Sequence, residues 1–217
     1  MTRVRAILFD MDGVLVDACD WHYDALNEAL SAHGFSIGRE EHLARFDGLG
    51  TNQKLKILSE ERGLATALHA TIRETKQEIT MRLIRERARP DPVHVAALTR
   101  LRAHGYRLAV CSNAVRASVA LMMERTALAP LLDLMLSSED VTRAKPDAEI
   151  YLTAAARFGL AAAECLAVED NQNGIAAARA AGVHVLPVRD TRDVRYEAII
   201  EAIERAEARA VTDAPAS

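Results

Sequence analysis

The chain has 217 residues, half of them apolar, and a net charge of -4 from 27 Lys and Arg against 31 Asp and Glu. That length suits one domain, or one domain carrying an insertion, and the apolar half excludes a disordered chain. The acidic balance argues against a nucleic-acid binder, and no apolar run approaches the ~18 residues that a membrane span needs. The N-terminus lacks the apolar stretch and small-residue cleavage site of a secretory signal. Cys19, Cys111 and Cys165 are widely spaced and form no CxxC pair, so neither a disulfide framework nor a Cys-rich zinc site is expected. A cytoplasmic monomer is the default expectation.

In chain order, residues 4–9 read as a short buried strand. Strands are also expected at 106–111, 165–168 and 183–188, with a shorter one at 132–137. Helices are expected between them at 93–104, 116–126, 148–158 and 174–181. Gly105, Gly159 and Gly182 follow three of these helices, where a left-handed cap favours glycine. Strands separated by helices of this length imply an α/β fold, with a Rossmann-like parallel sheet covered on both faces.

Residues 18–88 break the alternation. They contain helical patterns at 21–33, 51–62 and 65–87 and no convincing strand; Thr51 reads as the N-cap of the second. Pro90 and Pro92 punctuate the return to the alternating pattern. The expected organisation is a core made of residues 1–17 and 89–217 with an inserted helical domain, residues 18–88. A last helix is expected at 193–210, with Val194, Ile199, Ile200 and Ile203 towards one side, followed by a frayed tail at 211–217.

Open parallel sheets bind ligands beyond the carboxyl ends of their strands. The polar residues there are Asp10 and Asp12 after the first strand, Ser112-Asn113 after the second, and Glu169-Asp170 after the fourth; Lys145 follows the third. Four loops on one edge thus supply four acids, a hydroxyl, an amide and a lysine. Two like carboxylates two residues apart repel and require a counter-charge, which Lys145 or a bound cation supplies. An all-oxygen acidic site suits Mg²⁺ rather than zinc. A carboxylate can attack phosphorus, a lysine and magnesium can neutralise the transferring group, and a second acid can handle the proton.

These residues resemble the motifs of the haloacid dehalogenase superfamily. Asp10-Met11-Asp12-Gly13-Val14-Leu15-Val16-Asp17 is similar to the first, Ser112-Asn113 to the second, Lys145-Pro146-Asp147 to the third and Glu169-Asp170-Asn171-Gln172-Asn173-Gly174 to the fourth. All four stand in the family's order. The resemblance implies Asp10 as nucleophile and Mg²⁺ ligand, and Asp12 as acid/base with its carbonyl on the metal. It implies Ser112, Asn113 and Lys145 as phosphoryl-binding groups, and Asp170 and Glu169 as further metal residues. Lys145 would also pair with Asp10. Asn173 is left between bracing the loop and contacting the site. The second aspartate separates this chain from the dehalogenating branch, which lacks it. Retention of the acids and the lysine argues against a binding module that has lost catalysis.

The helical insertion resembles the cap of the branch containing β-phosphoglucomutase and small sugar or polyol phosphatases. By that resemblance, His22, Thr51, Lys54 and Lys76 are the expected cap residues for substrate. Thr51 stands where the mutase pattern has an arginine. Threonine cannot make the bidentate charged grip on a second phosphate, and Lys54 could replace it only as a point charge. Hydrolysis of a small phosphate ester is therefore expected over the alternative, a phosphosugar mutase.

Overall fold

The computed structural model describes residues 3–46 and 49–212, with side chains through residue 208. The chain divides into two compact units, residues 1–17 with 89–217, and residues 18–88.

The first unit is built on five parallel strands: β1 (Ala6–Phe9), β2 (Arg107–Cys111), β3 (Leu134–Leu136), β4 (Cys165–Glu169) and β5 (His184–Pro187). Their spatial order is β3-β2-β1-β4-β5. All five expected strands are present, each within two residues of its expected bounds. The sheet is a Rossmann-like parallel α/β core.

Side chains alternate across each strand. Ala6 and Leu8, Ala109 and Cys111, and Cys165 and Ala167 share one buried cluster with Ile150, Tyr151, Ala154, Ala177 and Ala178. The last five lie on the helices α7 (Glu149–Phe158) and α8 (Gln172–Ala180); the small strand residues let these helices approach closely. The alternate strand residues Ile7, Phe9, Leu108, Val110, Leu166 and Val168 are equally buried. Each such aliphatic or aromatic side chain contributes ~1.5–3 kcal/mol of transfer free energy. The helices α5 (Pro92–Ala103) and α9 (Tyr196–Thr212) pack on β2, β5 and each other, and α6 (Arg116–Arg125) packs on β3. At the start of α5, Asp91 accepts from the Val93 amide at 2.7 Å and Pro92 takes the first helical position. His94 on α5 is buried, its ring nitrogens 3.2 Å from the Leu15 carbonyl and 2.8 Å from the Thr191 carbonyl.

The second unit contains α1 (Cys19–Ser31), α2 (Arg39–Glu41, continued by a wide turn at His42–Phe46), α3 (Thr51–Arg62) and α4 (His69–Arg87). Leu26 and Leu30, Leu55 and Leu58, and Ile72, Ile79 and Leu83 recur at helical spacing and form its core.

Three expectations need correction. Thr51 is not an N-cap; Gly50 holds that position, Gln53 Oε1 accepts the Gly50 amide at 3.1 Å, and Thr51 is the first helical residue. The last helix starts at Tyr196, not 193. Asp190 accepts from the Arg192 amide at 2.9 Å and Arg189 pairs with Asp193 at 2.8 Å, holding Thr191–Asp193 in a tighter turn. Of the tail expected at 211–217, Val211 and Thr212 are helical and the rest lies outside the described residues. Among the described residues no helix is long and apolar enough to cross a membrane.

Candidate active site

The strand order places the site. The chain runs outward from β1 to β2 and β3, then returns to place β4 on the other side of β1. The carboxyl ends of β1 and β4 therefore flank the topological switch point, where open α/β sheets bind ligands. Phe9 pairs with Val168, and the Asp10 amide donates to the Val168 carbonyl at 3.0 Å. Asp10 and Glu169 thus emerge side by side.

The loop after β1 folds back at once. The Leu15 and Val16 amides donate to the Met11 carbonyl, both at 2.9 Å, and the Gly13 amide donates to the Val16 carbonyl at 2.8 Å. Asp12 makes a parallel bridge with Val16. Gly13 has φ +84°, and a Cβ there would lie 2.0 Å from Asp170 Oδ2. Glycine therefore satisfies both the left-handed backbone and the close approach of Asp170. Asn171 caps α8, its Oδ1 accepting the Gly174 amide at 3.0 Å, and its Nδ2 donates to Asp170 Oδ1 at 3.1 Å.

Lys145 is 5 % exposed, and its ammonium donates three bonds: 2.8 Å to Asp10 Oδ1, 2.6 Å to Glu169 Oε1 and 2.7 Å to the Cys111 carbonyl. Asn113 brackets the lysine backbone. Its Oδ1 accepts the Lys145 amide at 3.0 Å and its Nδ2 donates to the Lys145 carbonyl at 3.2 Å. Ser112 is buried, and its Oγ accepts the Ala114 amide at 3.0 Å. The second and third motif loops are thereby tied together.

Glu169 is fully buried. Its Oε1 also accepts from the Tyr151 hydroxyl, and its Oε2 is buried without a hydrogen-bond partner among the described residues. A Cβ on Gly174 would lie 2.0–2.1 Å from the Glu169 carboxylate atoms, so this acid rests directly on the glycine of α8. Tyr151 and Gly174 are the components that sequence reasoning did not single out as site residues.

Burial pushes the Asp10 carboxyl up against the pull of Lys145, and the charge of Asp12 adds to the rise. Burial likewise pushes Glu169 up to about 7, again against Lys145. Burial opposes the Lys145 ammonium, but Asp10 and Glu169 together carry it well above the ordinary lysine range. The lysine stays charged, and one ammonium faces more than one carboxylate. Asp10, Glu169 and Asp170 each offer an oxygen within 4.8 Å of the others. Three carboxylates to one ammonium, oxygen-only donors and an unmatched buried Oε2 fit a hard divalent cation.

The sequence-derived core residues Asp10, Lys145, Glu169, Asp170 and Asn113 are thus brought to one place, with Asp12 and Ser112 on the same loops. In the second unit, Lys76 Nζ lies 3.5 Å from His22 Nδ1. Lys54 is buried at 8 % exposure on the first turn of α3, whereas Thr51 at its start is half-buried. Gly48 of the loop before α3 lies outside the described residues.

A buried acid–lysine–acid cluster at the switch point of a parallel sheet defines an α/β protein equipped for carboxylate chemistry. Residues 7–188 match the sequence profile of the haloacid dehalogenase-like hydrolases, and the chain belongs to that family. It is 28% identical over 193 residues to protein CbbY of Rhodobacter capsulatus, covering 85% of each chain. It is 33% identical over 182 residues to the phosphoglycolate phosphatase of Photorhabdus laumondii, covering 82% of this chain and 77% of that one. Among solved structures, CbbY of Rhodobacter sphaeroides in complex with phosphate superposes with a TM-score of 0.76 at 25% identity, over 89% of this chain and 90% of that one.

Proposed function

We propose that this protein is a magnesium-dependent phosphatase that hydrolyses a small phosphorylated metabolite, a sugar or polyol phosphate, through a phosphoaspartate on Asp10. The observation that carries this reading is the buried Asp10–Lys145–Glu169 cluster with Asp170 beside it. Relatives named as phosphatases and a solved relative holding phosphate support it.

Asp10, Asp170, Glu169 and the Asp12 carbonyl would hold Mg²⁺. When bound, the ion neutralises charge on the transferring group and on the surrounding carboxylates. The Asp10 carboxylate attacks phosphorus, and the bond from phosphorus to the leaving oxygen breaks. Lys145, donating to Asp10 Oδ1 at 2.8 Å, pulls against the rise that burial imposes on this carboxyl. Asp12 gives its proton to the leaving oxygen. In the second half, Asp12 takes a proton from water as the water oxygen bonds to phosphorus, and the Asp10–phosphorus bond breaks. Ser112 and Asn113 border the phosphoryl oxygens from the loop after β2. In the helical unit, His22, Thr51, Lys54 and Lys76 are proposed as the substrate-selecting groups, the His22–Lys76 pair being the support for two of them.

Position 51 carries no guanidinium, which favours hydrolysis over a mutase that must grip two phosphates. The test is phosphate release from a panel of sugar and polyol phosphates, with Mg²⁺ and with excess EDTA. Release should require the metal, and Asp10→Asn should abolish it without lowering the melting temperature. Undiminished release in EDTA, or near-normal turnover by Asp10→Asn, would refute the reading. Conversion of β-glucose 1-phosphate to glucose 6-phosphate without net phosphate release would establish the mutase instead.

A further inference from the structure

An ammonium has three protons, and those of Lys145 have three acceptors here: Asp10 Oδ1, Glu169 Oε1 and the Cys111 carbonyl. A phosphoryl group reacting at Asp10 needs one of these donors. The Cys111 carbonyl is the end of β2 and stays where the sheet holds it. Asp10 is the reacting carboxylate. Glu169 is the acceptor that already has a second donor, because the Tyr151 hydroxyl donates to the same Oε1.

That second bond changes the energetics of release. Withdrawing the lysine from a fully buried carboxylate oxygen would otherwise leave it unsatisfied, the costly case for a charged group. Tyr151 is itself 0 % exposed, so its hydroxyl cannot turn to bulk water. It sits on the first turn of α7, six residues after Lys145, and its ring centroid is 5.0 Å from Lys145 Nζ. The start of α7 is tied to the lysine loop: Asp147 Oδ1 accepts the Glu149 amide at 3.0 Å, and Glu149 accepts the Thr142 and Arg143 amides at 2.7 and 3.0 Å. The lysine and its stand-in are thus carried on one short, braced segment.

We propose that Tyr151 is a positioning residue: its hydroxyl retains Glu169 while Lys145 turns its third hydrogen bond from Glu169 to the transferring phosphoryl group. This rests on the phosphatase reading above. It deepens that reading by assigning a role to a residue outside the four motif loops.

The test is Tyr151→Phe, which keeps the ring and removes the donor. Release of Glu169 by Lys145 belongs to the transition state, so the loss appears in kcat. One hydrogen bond to a charged group corresponds to a fall of about 10- to 100-fold, with KM unchanged within about threefold. In a Glu169→Gln background the same substitution should cost about twofold or less, because the charge that Tyr151 tends is gone. Urea unfolding of all four proteins in chelator reports any packing loss separately from turnover. An unchanged kcat, an effect confined to KM, or an equal loss in both backgrounds would overturn the proposal. So would a Tyr151→Phe protein whose lost activity only follows its lost fold. An inactive wild-type chain would sink the phosphatase reading itself. An active wild type with an indifferent Tyr151→Phe sinks this inference alone.

Discussion

Gly174→Ala is a substitution whose expected sign reverses once the structure is known. In sequence terms it is favourable, since alanine replaces glycine in the first turn of a helix and should gain ~1 kcal/mol. In the structure the new methyl would fall 2.0–2.1 Å from Glu169 Cδ and both its carboxylate oxygens. A carboxylate at the end of a side chain can usually move aside. This one is fully buried and held by Lys145 and Tyr151. Displacing it breaks both bonds, at about 1.5–3 kcal/mol each, or roughly 3–6 kcal/mol. Set against the helix gain, the net destabilisation is about 2–5 kcal/mol. Urea unfolding followed by far-ultraviolet circular dichroism, with chelator present so that metal binding adds nothing, measures it directly. A Gly174→Ala protein as stable as wild type, or more stable, would show that Glu169 moves freely. The account of a pinned carboxylate would then fail.

The five strands and their parallel arrangement were legible because each is a short apolar run bounded by helix caps, and because period-2 burial leaves a compositional trace. The motif loops were legible for a related reason: polar residues at successive strand ends are conspicuous against that apolar background. What escaped is what depends on packing between distant segments. Tyr151 stands in an apolar helix face and reads as a core aromatic. Only the apposition of α7 and β4 brings its hydroxyl to Glu169. Gly174 reads as a motif residue with no stated reason, whereas the structure shows a carboxylate occupying the space of a side chain. His94, between two valines, carries no mark of its burial between the Leu15 and Thr191 carbonyls. The misplacement of the Thr51 cap has a local cause: Gly50 and Gln53 satisfy the helix start between them, one residue earlier than the hydroxyl suggested.

Three further substitutions test the account at other points. Asp12→Asn should lower turnover by about 10²–10⁴, the usual share of general acid–base catalysis, and should slow both formation and hydrolysis of the phosphoaspartate in single-turnover measurements. A variant slowed in one half-reaction alone would remove Asp12 from the other. Gly13→Ala should lower metal-free stability, through its strained φ and the clash with Asp170 Oδ2, by at least ~1 kcal/mol in the same urea assay; an unaltered midpoint would refute the close approach. The third concerns pH and is at Asp140. Burial alone would raise this carboxyl, but bonds from the Ser137 hydroxyl and amide, with the charges of Arg116 and Arg157, hold it below the ordinary aspartate range. Ser137 Oγ donates to Asp140 Oδ2 at 2.7 Å and the Ser137 amide donates at 3.0 Å. A folded-state pKa below the unfolded one means that the unfolded chain takes up the proton first as pH falls. The stabilisation is therefore complete above the unfolded value of about 3.9, declines below it, and is gone once pH drops past the folded value. Asp140→Asn should accordingly be less stable than wild type by about 1 kcal/mol at pH 6, and the gap should close as acid is added towards pH 2. A gap that stays constant across that range would mean that the hydrogen bonds, rather than the ionised carboxylate, account for the difference, and the charges of Arg116 and Arg157 would then have no part in it.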